Sequence, residues 1–146
     1  FLITDLANRA FGKKMARYIV LTGFFVGILL TLFISTNFDD IISIRIAIGS
    51  AIAFLIAQNL DVQIFDKLRK KTWYVAPLTS SVLGSIIDTF LFFLIAFYNT
   101  DIPWLTLALG DLAVKLTVAM IMLIPFRLLI SKINDFTSLR NKKLNY

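Results

Sequence analysis

The sequence predicts an all-α fold, a polytopic bundle of transmembrane helices, and three observations carry that prediction. Hydrophobic residues make up 58% of the 146 positions and charged residues 16%, against about 45–50% and about 25% in soluble domains. The mean hydropathy is +0.82, and the apolar residues gather into runs near the roughly 20 residues that cross a bilayer. The connections between those runs alternate basic and acidic, as the two faces of a membrane require. Residues 1–146 read as a single integral membrane transport domain, with four full spans and a partial N-terminal helix.

Phe1 to Phe11 is apolar but interrupted by Asp5, Asn8 and Arg9, and it is too short to span. It reads as the last turns of a membrane helix, with an amphipathic helix lying in the interface as the alternative. Gly12-Lys13-Lys14 breaks it. Residue 1 is Phe, and no charged segment precedes an apolar one, so the start reads as a truncation and not as a signal peptide.

The first complete span is expected from about Arg17 to Thr36, because 21 uncharged residues separate Arg17 from Asp39. At 1.5 Å per residue that is about 30 Å. Gly23 and Gly27, extended by Thr31, form a small-residue face of the kind that lets another helix approach closely. Asn37-Phe38-Asp39-Asp40 is an acidic turn. The second span follows from about Ile41 to Leu60, with Arg45 as its only charge. Gly49, Ala53 and Ala57 step by four from Arg45 and lead to Asp61, so one helix face carries small residues between two charges. Arg45 either snorkels to the headgroups or turns inward along that face. Gln58 and Asn59 are polar enough to line the mouth of a cavity.

The connection from Asp61 to Tyr74 contains the basic cluster Lys67, Arg69, Lys70 and Lys71, then the aromatic belt pair Trp73-Tyr74. Val62, Ile64, Phe65 and Leu68 alternate with its charges, which implies that the helix continues beyond the membrane. The third span, Ser80 to Phe97, is entered through Pro77, a residue suited to a helix start. Between Lys71 and Asp101 lie 29 residues, and Asp88 is the only charge among them. A charge at the bilayer centre costs roughly 2.5–3.5 kcal/mol on insertion scales, so it needs a partner, a wet cavity or a task. Ser81, Gly84, Ser85 and Asp88 share one face, the form of a pocket wall, and Phe92 and Phe93 lie opposite. The fourth span, from about Trp104 to Ile130, holds Asp111 and Lys115 four residues apart with the acid first, the favourable order for an ion pair. Pro125 is expected to kink or end it. Arg127, Lys132, Arg140, Lys142 and Lys143 form a basic tail, and the excess of positive charge places the C-terminus and the basic loops in the cytoplasm.

Several function classes are excluded. The chain has no Cys, no His and no Glu, so thiolate nucleophiles, His-ligated metals and Ser-His triads cannot arise within it. No metal or cofactor is expected, and no P-loop occurs, so any use of ATP needs another chain. The net charge of +6 and a pI of about 9.8 do not argue for nucleic acid, because the basic residues lie in the gaps where topology accounts for them. An intramembrane aspartyl protease is considered because Asp88 and Asp111 lie on separate spans. It is set aside because Lys115 would hold Asp111 ionised, and because the flanking residues do not resemble those of such proteases. No enzymatic activity is expected.

At D-V-Q-I-F-D-K-L-R-K (Asp61 to Lys70), W-Y-V-A-P (Trp73 to Pro77) and S-S-V-L-G-S-I-I-D-T-F-L-F-F-L-I-A-F (Ser80 to Phe97), the chain resembles the queuosine precursor transporter family, also called the VUT family. Phe1 to Lys14 resembles the end of that family's second helix, and Arg45 in I-S-I-R-I-A-I-G-S-A-I-A also fits its pattern. At Asn8 the chain departs from it, since an acidic residue often stands there. The resemblance implies six helices in the full-length protein, of which this chain would lack the first and most of the second. It also implies inner-membrane uptake of 7-cyano- or 7-aminomethyl-7-deazaguanine, and an architecture comparable to the substrate-binding subunits of energy-coupling-factor vitamin transporters.

The candidate substrate-binding residues are Asp88, Lys115, Asp111, Arg45, Ser81, Ser85, Gln58 and Asp5. Asp88 is the expected clamp on the donor edge of a deazaguanine, since a carboxylate accepts two parallel charge-assisted bonds. Lys115 or Arg45 would donate to the ring carbonyl, and Phe92 or Phe93 would stack. Whether Asp88 meets Lys115, Arg45 or only ligand stays open, as do a homo-oligomer and a coupling subunit. The alternative function is a structural or assembly subunit of a membrane complex, with the polar residues serving helix packing alone.

Overall fold

The computed structural model describes residues 1–36 and 38–144, without the side chains of residues 35 and 133–144. Asn37 and the tail residues Arg140, Lys142 and Lys143 of the sequence reading lie outside the described residues or side chains. Five α-helices follow in order: α1 (Leu2–Phe11), α2 (Lys13–Leu30), α3 (Ile41–Leu68), α4 (Val75–Phe97) and α5 (Trp104–Leu144). No strand occurs among the described residues. Four helical segments are long and apolar enough to cross a membrane: Lys13–Ile34, Ile41–Leu68, Val75–Phe97 and Trp104–Lys132. The protein is therefore a multi-pass membrane protein.

The boundaries follow from local chemistry. Gly12 separates α1 from α2 at φ 87° and ψ 177°, a backbone region essentially reserved for glycine. Its N–H donates to Asn8 O at 3.0 Å and closes α1. The end of α2 widens into a π-helical turn over Thr31–Ser35. Asp40 caps α3, its carboxylate accepting from Ile42 N and Ser43 N at 3.1 Å each and satisfying donors that the first helical turn leaves unpaired. Pro77 sits in the first turn of α4, where its missing N–H costs nothing. Pro125 lies inside α5 and does not end it. Past the span expected to end near Leu60 the helix continues to Leu68, as the alternation after Asp61 implied, so Asp61 is a mid-helix residue.

The pair α3–α4 forms the centre, in contact along most of its length, with α2 on one side and α5 on the other. The small-residue stripe of α3 makes this possible. Gly49 packs so closely on α4 that a Cβ there would stand 3.3 Å from Phe92 O and 3.4 Å from Ile95 Cβ. Ala53, Ala57 and Asp61 continue the same buried face. The Gly23–Gly27 face of α2 is not used in this way, since no atom lies within 4 Å of a Cβ at either residue. It lines an apolar groove against Ala47, Ala51 and Phe54 of α3. The outward faces of α2 and α5, including Phe25, Leu29, Ile121, Ile124 and Leu128, are exposed and apolar, as lipid contact requires.

The short α1 is not interfacial. Thr4, Asp5, Ala7 and Asn8 are buried, and Leu2 and Leu6 pack against the cluster of Phe65, Ala76, Phe126 and Ile130. Asn8 Nδ2 donates to Val62 O at 2.9 Å, and Arg69 reaches back to Asn8 O at 3.4 Å. Trp73 also packs on this cluster, with the Arg127 guanidinium 5.1 Å from its ring centroid.

Candidate functional site

A cavity of about 340 Å³ opens between α1, α4 and α5. Its wall is mainly apolar, with Pro77, Val114, Val118, Met122 and Phe126 among the lining residues. Four polar side chains converge on it: Asp5 from α1, Ser81 and Ser85 from α4, and Lys115 from α5. A largely apolar wall with a few placed polar groups is the usual composition of a small-molecule site, and the volume lies at the lower end of the usual range of about 300–1,000 Å³.

Each polar group is there for a reason of helix geometry. Ser81 and Ser85 are one turn apart and bring hydroxyls to the cavity side of α4. Gly84, between them, lets α1 approach, for a Cβ there would come within 3.0 Å of the Phe1 ring and 3.5 Å of Asp61 Cβ. Lys115 enters from α5 and is held by three acceptors. Its Nζ donates to Asp88 Oδ2 at 2.7 Å and to Thr89 Oγ1 at 3.1 Å, and lies 2.6 Å from Asp111 Oδ2. Thr89 in turn donates to Asp111 Oδ2 at 2.7 Å. An ammonium has three donors, so all are engaged. The question of what meets Asp88 is thereby answered: its partner is Lys115.

The structure brings together six of the eight candidate residues around Lys115 and the cavity, and leaves two distributed differently. Asp5, Ser81, Ser85 and Lys115 line the cavity, while Asp88 and Asp111 stand behind Lys115 as its counter-charges. Gln58 is buried on α3 facing α1, where Thr4 Oγ1 donates to its Oε1 at 3.5 Å. Arg45 is elsewhere. Its Nε donates to Ile95 O at 3.1 Å and its second guanidinium nitrogen to Tyr98 O at 2.8 Å, closing the C-terminal end of α4. Arg45 is not among the residues that line the cavity, its guanidinium being committed to these two carbonyls. Phe92 and Phe93 pack on one another and on Phe97. The aromatic rings at the cavity are Phe1 and Phe126.

Two further polar residues near the cavity, Thr89 and Asp61, are not among the eight candidates. Thr89 bridges Lys115 and Asp111, and its signal was position alone, next to Asp88. Asp61 is fully buried beside Asp5, Gly84 and Ser80. Its signal was the stripe that steps by four from Arg45. Both Asp61 carboxylate oxygens and Asp5 Oδ1 lack a hydrogen-bond partner among the described residues.

A family model described as "Putative vitamin uptake transporter" matches residues 1–130. Among curated proteins, the chain is similar to a "Probable queuosine precursor transporter" of Haemophilus influenzae, 38% identical over 144 residues, covering 86% of this chain and 61% of the relative. It is 31% identical over 144 residues to the "Queuosine precursor transporter" of Escherichia coli, covering 86% of this chain and 65% of the relative. A "Probable queuosine precursor transporter" of Bacillus subtilis is 27% identical over 147 residues, covering 84% and 64%. The chain thus spans less than two thirds of the length of these relatives. No solved structure matches.

Proposed function

The chain belongs to the vitamin uptake transporter family, and from that premise we propose that it takes part in the uptake of queuosine precursors, 7-deazaguanine bases, across the inner membrane. The basic connections and C-terminus then face the cytoplasm. The base passes unchanged, so the protein is a carrier and not an enzyme. The observation that carries the reading is the cavity of about 340 Å³, in which Asp5, Ser81, Ser85 and Lys115 converge from three helices.

A deazaguanine presents a ring N–H and an exocyclic amine on one edge and a carbonyl beside them. Asp5 is the one carboxylate among the residues lining the cavity, so it is the acceptor for the donor edge, where charge-assisted bonds are roughly twice as strong as neutral ones. Asp88 is less suited to that role because Lys115 already holds it at 2.7 Å. Its task is to position Lys115, whose Nζ exchanges one donor to the ring carbonyl. Ser81 and Ser85 supply hydroxyls that donate or accept, and Phe1 and Phe126 offer faces to the ring.

The test fills the cavity without altering its charges. Ser85→Leu and Ala119→Phe, each in the full-length transporter, are expected to abolish uptake in cells that depend on an external precursor, with membrane protein level unchanged. Ser85→Ala is expected to transport. Full uptake by both filled variants would refute the cavity as the route and favour the assembly-subunit alternative.

A further inference from the structure

We propose that Asp5 and Asp61 together form a proton-binding site, one proton held between the two carboxyl groups, and that inward movement of this proton drives uptake through the adjoining cavity. The inference rests on the transporter reading above and adds its energy source. Asp5 is 2% exposed and Asp61 fully buried. They face one another from α1 and α3. Three of their four oxygens have no hydrogen-bond partner among the described residues.

The surroundings supply few donors. From α4, the Ser80 hydroxyl adjoins Asp61 and is shared between it and Pro77 O, 3.4 Å away. On α1, Thr4 turns to Phe1 O and Gln58, and the Asn8 amide is committed to Val62 O. The charged groups near the pair are few. The amino group of Phe1 faces both carboxyls. Arg69, two turns beyond Asp61 on α3, is taken by Asp66 and Asn8 O. Lys115 of α5 shares the cavity with Asp5 but is engaged by Asp88 and Asp111. α4 contributes hydroxyls to this place and no charge.

Two carboxylates side by side in a low-dielectric interior repel one another, and one shared proton removes a charge and supplies the absent donor. Coupling follows from position. Asp61 lies behind Asp5, and Asp5 lines the cavity. A proton on Asp61 makes it a donor to Asp5 and leaves an Asp5 oxygen for the ligand, so proton and base are bound together. No covalent bond to the base forms. The proton taken from the outer side is released on the inner side.

The experiment uses the full-length transporter in sealed vesicles with labelled 7-cyano-7-deazaguanine. An inward gradient of one pH unit is expected to give up to about tenfold accumulation in wild type, the ratio one proton per base supplies. Asp61→Asn is expected to exchange labelled for unlabelled base yet to show no accumulation. Accumulation by Asp61→Asn equal to wild type, or accumulation that follows sodium and ignores pH, overturns the proposal. Exchange without any response to pH in wild type overturns it and leaves the transporter reading standing, whereas absence of exchange in wild type refutes that reading. Should Asp61→Asn not fold, infrared spectra of wild type decide independently of substrate. A protonated-carboxyl band at neutral pH, shifted in deuterated water and lost in Asp5→Asn, supports the site, and its absence overturns it.

Discussion

Replacing Lys115 with methionine tests whether the central charges of the bundle are held as one unit. Methionine keeps the length and apolar stem of the side chain and removes its charge. In the wild-type cluster one ammonium serves two carboxylates, at 2.7 Å from Asp88 and 2.6 Å from Asp111, so the net charge is −1. Lys115→Met leaves −2 on facing helices, and Thr89 loses its ammonium neighbour at 3.1 Å. Breaking a buried pair by removing one partner costs about 3–5 kcal/mol. Because the three side chains keep 24–34% of their exposure, the lower end applies, about 3 kcal/mol or roughly a hundredfold in the folding equilibrium. The assay is unfolding of purified protein in detergent. The triple variant Lys115→Met, Asp88→Asn, Asp111→Asn carries no charge in this cluster and is expected to regain most of the loss, as neutral replacements of buried ion clusters do. A single variant as stable as the triple one would refute the reasoning.

Two further outcomes follow from the packing of α3 on α4. Arg45→Ala removes donors from Ile95 O and Tyr98 O, worth about 1.5–3 kcal/mol together at this partly exposed position; hydrogen exchange should accelerate at the end of α4, while base affinity stays within twofold of wild type, and a tenfold loss of affinity would return Arg45 to the binding site. Gly49→Leu drives a side chain into backbone already 3.3 Å from a Cβ position, and overpacking of this kind costs about 1–3 kcal/mol, read as a lowered unfolding midpoint, whereas an unchanged midpoint would show that the helices part without cost.

Most of the bundle was legible because lipid imposes a simple rule. Each span must satisfy its own backbone and show apolar side chains, so hydropathy and the alternation of loop charge locate α2 to α5, although α3 runs on to Leu68 and α5 to Leu144, past the expected ends at Leu60 and Ile130. The small-residue stripe of α3 was legible for a second reason: close packing of helices in lipid needs small residues at a spacing of four, and Gly49 to Asp61 lie along α4 as that spacing implies. The Asp111–Lys115 pair is a local, four-residue fact and could be read directly. What joins Lys115 to Asp88, 27 residues away, is the relative depth of α4 and α5, which the sequence leaves open. Arg45 illustrates the same limit. Its position near a helix end is plain from the chain, but its partners are carbonyls freed at the end of α4, and those depend on how far α4 slides along α3. The stretch Leu2–Phe11 was least legible, since a ten-residue amphipathic helix suits the interface as well as the interior.

The comparison of Asp5 with Asn8 separates a packing role from a chemical one. Both lie on the buried face of α1, three residues apart, and both are almost wholly removed from solvent. Asn8 is a neutral amide whose Nδ2 donates to Val62 O at 2.9 Å, while its Oδ1 is unpartnered among the described residues. Were burial against α3 the whole purpose of this face, a second neutral amide at position 5 and another at position 61 would meet it without the cost of setting two acids together. Unpartnered acceptors in a dry interior are each expensive, by about 1–3 kcal/mol for a neutral group and more for a charged one. Three such oxygens in one place are therefore poor packing and a good reservoir for a proton. Their position, with one acid on the cavity wall and the other behind it, ties the state of that reservoir to what the cavity holds.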